Sequence, residues 1–196
     1  RRGRRFATGS ITTMGRGMKL VILHRDGVIN YDSAEFIKNP DEWQALPGSL
    51  EAIANLNQAG YKVVVATNQS GIGRGLFDMS ALNAMHEKMH RQLAQCGGRV
   101  DALFFCPHTA NDNCNCRKPA TGMLEDISQR FGVRLTGVYG VGDSLRDLQA
   151  IATMGGRPIL VLTGKGEKTR DTGELPQGTL VFANLRDAVK YIIDNP

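Results

Sequence analysis

Short, predominantly apolar runs recur along this chain, and most are followed by a segment with helical spacing. The runs occupy residues 19–23, 61–66, 103–105, 137–141, 158–162 and 179–182. A continuous run such as Leu20-Val21-Ile22-Leu23 leaves no polar face for solvent, which suits a parallel strand covered on both sides. Helical patterns fall between the runs. Ser49 is placed as an N-cap, with Leu50, Ile53, Ala54 and Leu56 on one face and Gly60 as the stop. Residues 79–95 repeat the pattern with Leu82, Met85, Met89 and Leu93, and further helices are expected over 121–131, 145–154 and 184–193. The alternation predicts an α/β fold: a Rossmann-like, mostly parallel sheet with helices on both faces. No internal repeat interrupts it, and 196 residues bury a core without disulfide staples.

The net charge of +5 suggests nucleic acid, but its distribution does not. Segment 1–17 holds Arg1, Arg2, Arg4, Arg5 and Arg16 and no acid, which accounts for the whole excess. The remainder, 18–196, is neutral and is expected to form one domain. The basic tail reads as an expression remnant or a disordered extension. Neither a nucleic-acid nor a membrane partner is expected, since no apolar run approaches ~18 residues. A compact chain of this size is taken as a monomer.

The polar residues that end the first, second and fourth runs are His24 and Asp26, Thr67 and Asn68, and Asp143. Ligands of open α/β sheets bind outside the carboxyl ends of strands, so these clusters are expected to converge on one crevice. A second cluster is local. Cys106-Pro107-His108 and Cys114-Asn115-Cys116 supply four soft or borderline donors, enough to close a tetrahedral shell around a structural Zn²⁺. Cysteines used this way point to a reducing compartment, hence the cytoplasm. Cys96 stands apart and reads as a partly buried thiol.

Taken in order, Arg25-Asp26-Gly27-Val28-Ile29-Asn30, Thr67-Asn68-Gln69-Ser70-Gly71, Cys116-Arg117-Lys118-Pro119 and Val141-Gly142-Asp143-Ser144 resemble the motifs of haloacid dehalogenase superfamily phosphatases. The match is closest to the heptose 1,7-bisphosphate 7-phosphatases and spans residues 18–196. The resemblance implies a substrate of sugar-phosphate type, a catalytic Mg²⁺ and an aspartyl-phosphate mechanism. It places a nucleophile at position 24, a general acid/base at Asp26, and Thr67 and Lys118 against the phosphoryl group. Mg²⁺ is assigned to positions 24, 26 and 143, that is His24, Asp26 and Asp143. The zinc loop would set Arg117 and Lys118 beside the phosphate. Substrate contacts are expected from Asp32, Glu35, Asn68, Gln69, Ser70, Arg74 and Arg117. Asp147 is assigned an orienting role. With no large insertion after the first or second motif, no large cap domain is expected. Selectivity would then fall to loops 30–38, 70–76 and 107–118.

One residue departs from the pattern. The family's nucleophilic Asp is replaced by His24, which implies an inactive or strongly impaired enzyme. Three explanations are open: a substitution that silences the enzyme, a relative that binds ligand without turnover, or a transition-metal site made from His24, Asp26 and Asp143. A histidinol-phosphate phosphatase is the enzymatic alternative, and the residues around Thr67–Gly75 favour the heptose type over it. His86-Glu87-Lys88-Met89-His90 matches a zinc-peptidase pattern but reads as a solvated helix face. Gly71–Gly75 lacks the dinucleotide-binding spacing and reads as a loop, and Trp43 is assigned to the core.

Overall fold

The computed structural model describes residues 17–196, so the basic segment expected over 1–17 lies, but for Gly17, outside them. The apolar runs form β1 (Leu20–Leu23), β2 (Lys62–Asn68), β3 (Ala102–Cys106), β4 (Tyr139–Gly142), β5 (Arg157–Val161) and β6 (Leu180–Phe182). All neighbouring pairs are parallel, in the order β3-β2-β1-β4-β5-β6. The helices are α1 (Ser49–Gln58), α2 (Ser70–Gly73), α3 (Met79–Gln95), α4 (Gly122–Phe131), α5 (Leu145–Thr153), α6 (Gly166–Asp171) and α7 (Leu185–Asp194).

The pleat sorts each strand between two cores. Val21, Leu23, Val63 and Val65 join α1, α3 and α7 through residues such as Ile53, Met85 and Val189, and Trp43 is buried with them. Leu20, Ile22, Val64 and Ala66 face the other way, against Leu124 and Ile127 of α4 and Ile151 of α5. The sheet is therefore covered on both faces, as its unbroken hydrophobicity requires.

Three expectations need correction. Ser49 does not cap α1: Gly48 holds that place with φ +79°, while Ser49 Oγ donates to the Val28 carbonyl at 2.8 Å. The segment read as a glycine-rich loop contains the single turn α2. Helix α6 was not foreseen. It is short and polar, with Gly166 and Thr169 as its buried residues, so it has no apolar stripe for a periodicity search to find.

Strand order fixes the site. From β1 the chain proceeds outward to β2 and β3, then returns to place β4 on the other side of β1. Order reverses between β1 and β4, and the carboxyl ends of these strands frame the ligand crevice of such a sheet.

Candidate active site

A cavity of about 240 Å³ opens at that crevice, lined by His24, Asp26, Asn68, Gln69, Arg117 and Asp143 among others. His24 follows β1 directly, its N–H bonded to the Val141 carbonyl at 2.9 Å. Its ring sits among charges. Lys118 Nζ lies 3.1 Å from Nδ1, Asp147 Oδ1 3.8 Å from Nδ1, and Asp143 Oδ1 4.0 Å from Nε2. Burial lowers the proton affinity of His24 and Lys118 lowers it further, against the opposing pull of Asp147 and Asp26.

Asp26 is held on both oxygens. Oδ1 accepts from Arg25 Nε at 2.9 Å, Arg25 Nη2 at 2.7 Å and Asn30 Nδ2 at 2.9 Å, and Oδ2 accepts from Gln69 Nε2 at 3.0 Å. Burial alone would raise its pKa, but Arg25, His24 and Asn30 outweigh burial and keep it below the ordinary carboxylate range. Arg25 itself is fully buried. Its remaining arm, Nη1, lies 3.1 Å from His86 Nε2 on α3. Burial, then Arg25, push His86 down to about 3, so it is a neutral acceptor for that arm. The solvated-face reading of the His86/His90 pair is thus corrected: His86 is buried against the site, and His90 one turn on is exposed.

Lys118 is equally confined. Its ammonium donates to the Ala66 carbonyl at 2.7 Å and pairs with Asp147 Oδ1 at 2.6 Å. Asn68 grips its backbone, accepting from Lys118 N–H at 3.0 Å and donating to the Lys118 carbonyl at 3.2 Å. Gln69 Nε2 also donates to Thr67 Oγ1 at 3.0 Å, which leaves the Thr67 hydroxyl proton free to donate. Asn68 and Gln69, expected as substrate contacts, therefore hold Lys118, Thr67 and Asp26 in place as well as lining the cavity.

Asp143 follows β4. Its Oδ2 accepts the Lys165 N–H at 2.9 Å and its carbonyl accepts Thr169 Oγ1 at 2.7 Å. Gly27, at φ +81°, and Gly164, at φ +57°, press on the same carboxylate, where any Cβ would collide with Oδ2. Burial first, then the neighbouring Asp147, push Asp143 up to about 8. Asp147 stays ionised: burial opposes this, but His24, Lys118 and Ser144 outweigh it. It also closes the capping box of α5 with Ser144, consistent with its expected orienting role.

His24, Asp143 and Asp147 bring ligand atoms within 4.8 Å of one another. The expected magnesium set of positions 24, 26 and 143 takes a different form. Position 24 offers a ring nitrogen, and both Asp26 oxygens are engaged elsewhere. Mg²⁺ demands hard oxygen donors, so this donor set does not fit it well. The zinc expectation meets a suitable cluster. Cys106 Sγ lies 3.7 Å from Cys114 Sγ and 3.1 Å from Cys116 Sγ, and His108 Nδ1 lies 3.2 Å from Cys116 Sγ and 3.5 Å from Cys106 Sγ. Donors about 2.0–2.3 Å from one tetrahedral Zn²⁺ stand roughly 3.3–3.8 Å apart, so these four fit the ion with small adjustments.

At the cavity rim, the Arg74 guanidinium lies 5.6 Å from the Phe36 ring centroid, and Phe36 itself has φ +67°. Burial, then Arg146 and Arg74, depress the proton affinity of Arg117, so three guanidinium groups share one region. Asp32 pairs with Lys165 Nζ at 3.4 Å. Ser70 lines the cavity, whereas Glu35 is exposed and does not. Sequence reasoning missed Arg25, Asn30, His86, Arg146 and Lys165. Lys165 lies just beyond β5, where the strand-end rule would have found it. Arg25 gave no sequence sign of its burial.

This architecture and site define a phosphatase of the haloacid dehalogenase superfamily. Residues 115–188 match the HAD-hydrolase-like family model, and residues 26–145 match that of the polynucleotide kinase 3 phosphatase family. The chain belongs to the D-glycero-β-D-manno-heptose-1,7-bisphosphate 7-phosphatase family. It is 60% identical to the enzyme of that name from Bordetella bronchiseptica, over 90% of this chain and 98% of the relative. Identity to the Neisseria meningitidis serogroup A enzyme is 57%, over 90% of this chain and 95% of the relative. The crystal structure of the B. bronchiseptica D,D-heptose 1,7-bisphosphate phosphatase, complexed with magnesium and phosphate, superposes with a TM-score of 0.90 at 59% identity. That match covers 91% of this chain and all of the other. The fold is of haloacid dehalogenase type, with no large cap among the described residues.

Proposed function

We propose that this chain carries the substrate site of a heptose 1,7-bisphosphate 7-phosphatase, with turnover abolished or strongly reduced by His24. The convergence of His24, Asp26 and Asp143 on one cavity, with Lys118 bonded to His24 and Thr67 bonded to the Gln69 that holds Asp26, supports this most directly. The 7-phosphate would enter between Thr67 and Lys118, a hydroxyl donor and a buried cation suited to phosphoryl oxygens. Asp26 would protonate the leaving sugar oxygen and then activate water. It is ionised in the free site, and an arriving phosphate dianion works against Arg25 and raises its affinity for the proton it must donate. Position 24 should supply the attacking oxygen. A neutral imidazole replaces that carboxylate, so the aspartyl-phosphate cannot form there.

Magnesium, where a family member holds it, neutralises charge on the transferring phosphoryl group. Zn²⁺, held by Cys106, His108, Cys114 and Cys116, would brace the loop that delivers Arg117 and Lys118. Arg74, Arg117 and Arg146 offer the second phosphate a shared cationic region. The relatives favour the heptose substrate, as its β anomer, over histidinol phosphate. No helix among the described residues is long and apolar enough to cross a membrane, and a cytoplasmic monomer is the form we expect.

Thermal stabilisation tests the binding half of this reading. The 1,7-bisphosphate should raise Tm at concentrations where histidinol phosphate does not, with no phosphate released. Stabilisation by histidinol phosphate alone would contradict it.

A further inference from the structure

A buried run of contacts leads from α3 to the carboxylate that serves the leaving group. We propose that His86, which is not among the residues lining the cavity, is a positioning residue: through Arg25 it holds Asp26 by Oδ1, so that Oδ2 is the oxygen left to serve the departing sugar oxygen. This deepens the phosphatase reading and rests on it. Arg25 is fully buried, so protein acceptors rather than water set the orientation of its guanidinium. Two different edges of that plane are engaged. Nε and Nη2 both donate to Asp26 Oδ1, at 2.9 and 2.7 Å, and Nη1 lies 3.1 Å from His86 Nε2. A guanidinium has no acceptor, so the imidazole must present Nε2 without a proton and carry its proton on Nδ1. The anchor is rigid, because Leu82, Met85, Met89 and Leu93 of the same helix are all fully buried in the core.

The outcome is an unequal carboxylate. Asn30 Nδ2 adds a third donor to Oδ1 at 2.9 Å, whereas among the described residues Oδ2 accepts from Gln69 Nε2 alone, at 3.0 Å. An oxygen that already accepts three hydrogen bonds, two of them from a guanidinium, has no room for a proton. Oδ2 is therefore the atom that works. As the P–O bond breaks and its electron pair passes to the sugar oxygen, the proton on Oδ2 moves to that oxygen. Without an acceptor at position 86, Nη1 is left buried and unpaired. The guanidinium then turns toward another acceptor, and its hold on Oδ1 loosens.

The test contrasts two leaving groups in the His24→Asp form. A sugar alkoxide needs a proton to depart and p-nitrophenolate does not, and kcat/KM reports the steps through that departure. His86→Leu should lower kcat/KM for the heptose 1,7-bisphosphate at least about tenfold, and that for p-nitrophenyl phosphate less than about threefold. His86→Gln, which sets an amide oxygen where Nε2 stood, should recover most of the loss. A partly unfolded sample lowers both substrates together, so the contrast survives a loss of stability. Equal losses on the two substrates, no loss on either, or no recovery with Gln would overturn the positioning role. A His24→Asp form that hydrolyses neither substrate would instead overturn the phosphatase reading, and this proposal with it. The contact itself is read in the unsubstituted chain by NMR of the imidazole nitrogens at neutral pH. The His86 ring should be neutral with its proton on Nδ1, and a proton on Nε2 would overturn the assignment whatever the activity.

Discussion

Lys118 Nζ lies 2.6 Å from Asp147 Oδ1, with both side chains buried. In a site with a carboxylate at position 24, that ammonium would also neutralise the nucleophile. Here its second neighbour is the neutral ring of His24 at 3.1 Å, and Asp147 carries the whole countercharge. Lys118→Met strands a buried carboxylate, and breaking a buried pair costs about 3–5 kcal/mol. Urea unfolding should show a loss of that size. A change below ~1 kcal/mol would mean that Asp147 finds water or another cation.

Acid sensitivity should follow His86. Its folded pKa of about 3 lies below the unfolded value near 6.5, so the unfolded chain binds the extra proton between those values. The corresponding stability is complete above about pH 6.5 and is lost as pH falls toward 3, at up to about 1.4 kcal/mol per pH unit. His86→Gln keeps an acceptor for Arg25 without titrating. Unfolding free energies from pH 6.5 to 5 should fall more steeply for the unsubstituted chain. Parallel curves would show that His86 protonates without opening the site.

One zinc per chain is expected by elemental analysis, lost in Cys116→Ser. Because Lys118 follows Cys116 by two residues, removing zinc should weaken binding of the bisphosphate as well as lower Tm. A zinc-free protein with undiminished affinity would show that the grip of Asn68 on the Lys118 backbone suffices.

Arg117→Ala should separate the two phosphates. Loss of a charge-assisted contact to the second phosphate costs about 1.5–3 kcal/mol, or roughly tenfold or more in Kd. Calorimetry should find this loss with the 1,7-bisphosphate and little change with a 7-monophosphate. Equal losses would place Arg117 on the reacting phosphate.

The strands and the convergence of their polar ends were legible because continuous apolar runs have one reading in a covered sheet. The cysteine cluster was legible because its ligands lie close in sequence. What escaped depends on distant partners. Ser49 carries an N-cap signature, but its hydroxyl is drawn to Val28 across the fold. Helix α2 contains two glycines, which lower local helix propensity. Arg25 sits between His24 and Asp26, which line the crevice, and its burial is made possible by Asp26 on one side and by His86 on α3 on the other. The same contact separates His86 from His90, which the four-residue spacing alone had placed on one wet face.

Phosphate release from D-glycero-β-D-manno-heptose 1,7-bisphosphate with Mg²⁺, for this chain beside His24→Asp, bears most directly on the role of position 24. The Asp form should turn over at least about 10³-fold faster, since a missing nucleophile removes the covalent route altogether. Equal rates in the two forms would show that position 24 does not supply the nucleophile. Silence in both, with zinc bound and the bisphosphate still stabilising the fold, would contradict the assignment of the reaction to this crevice.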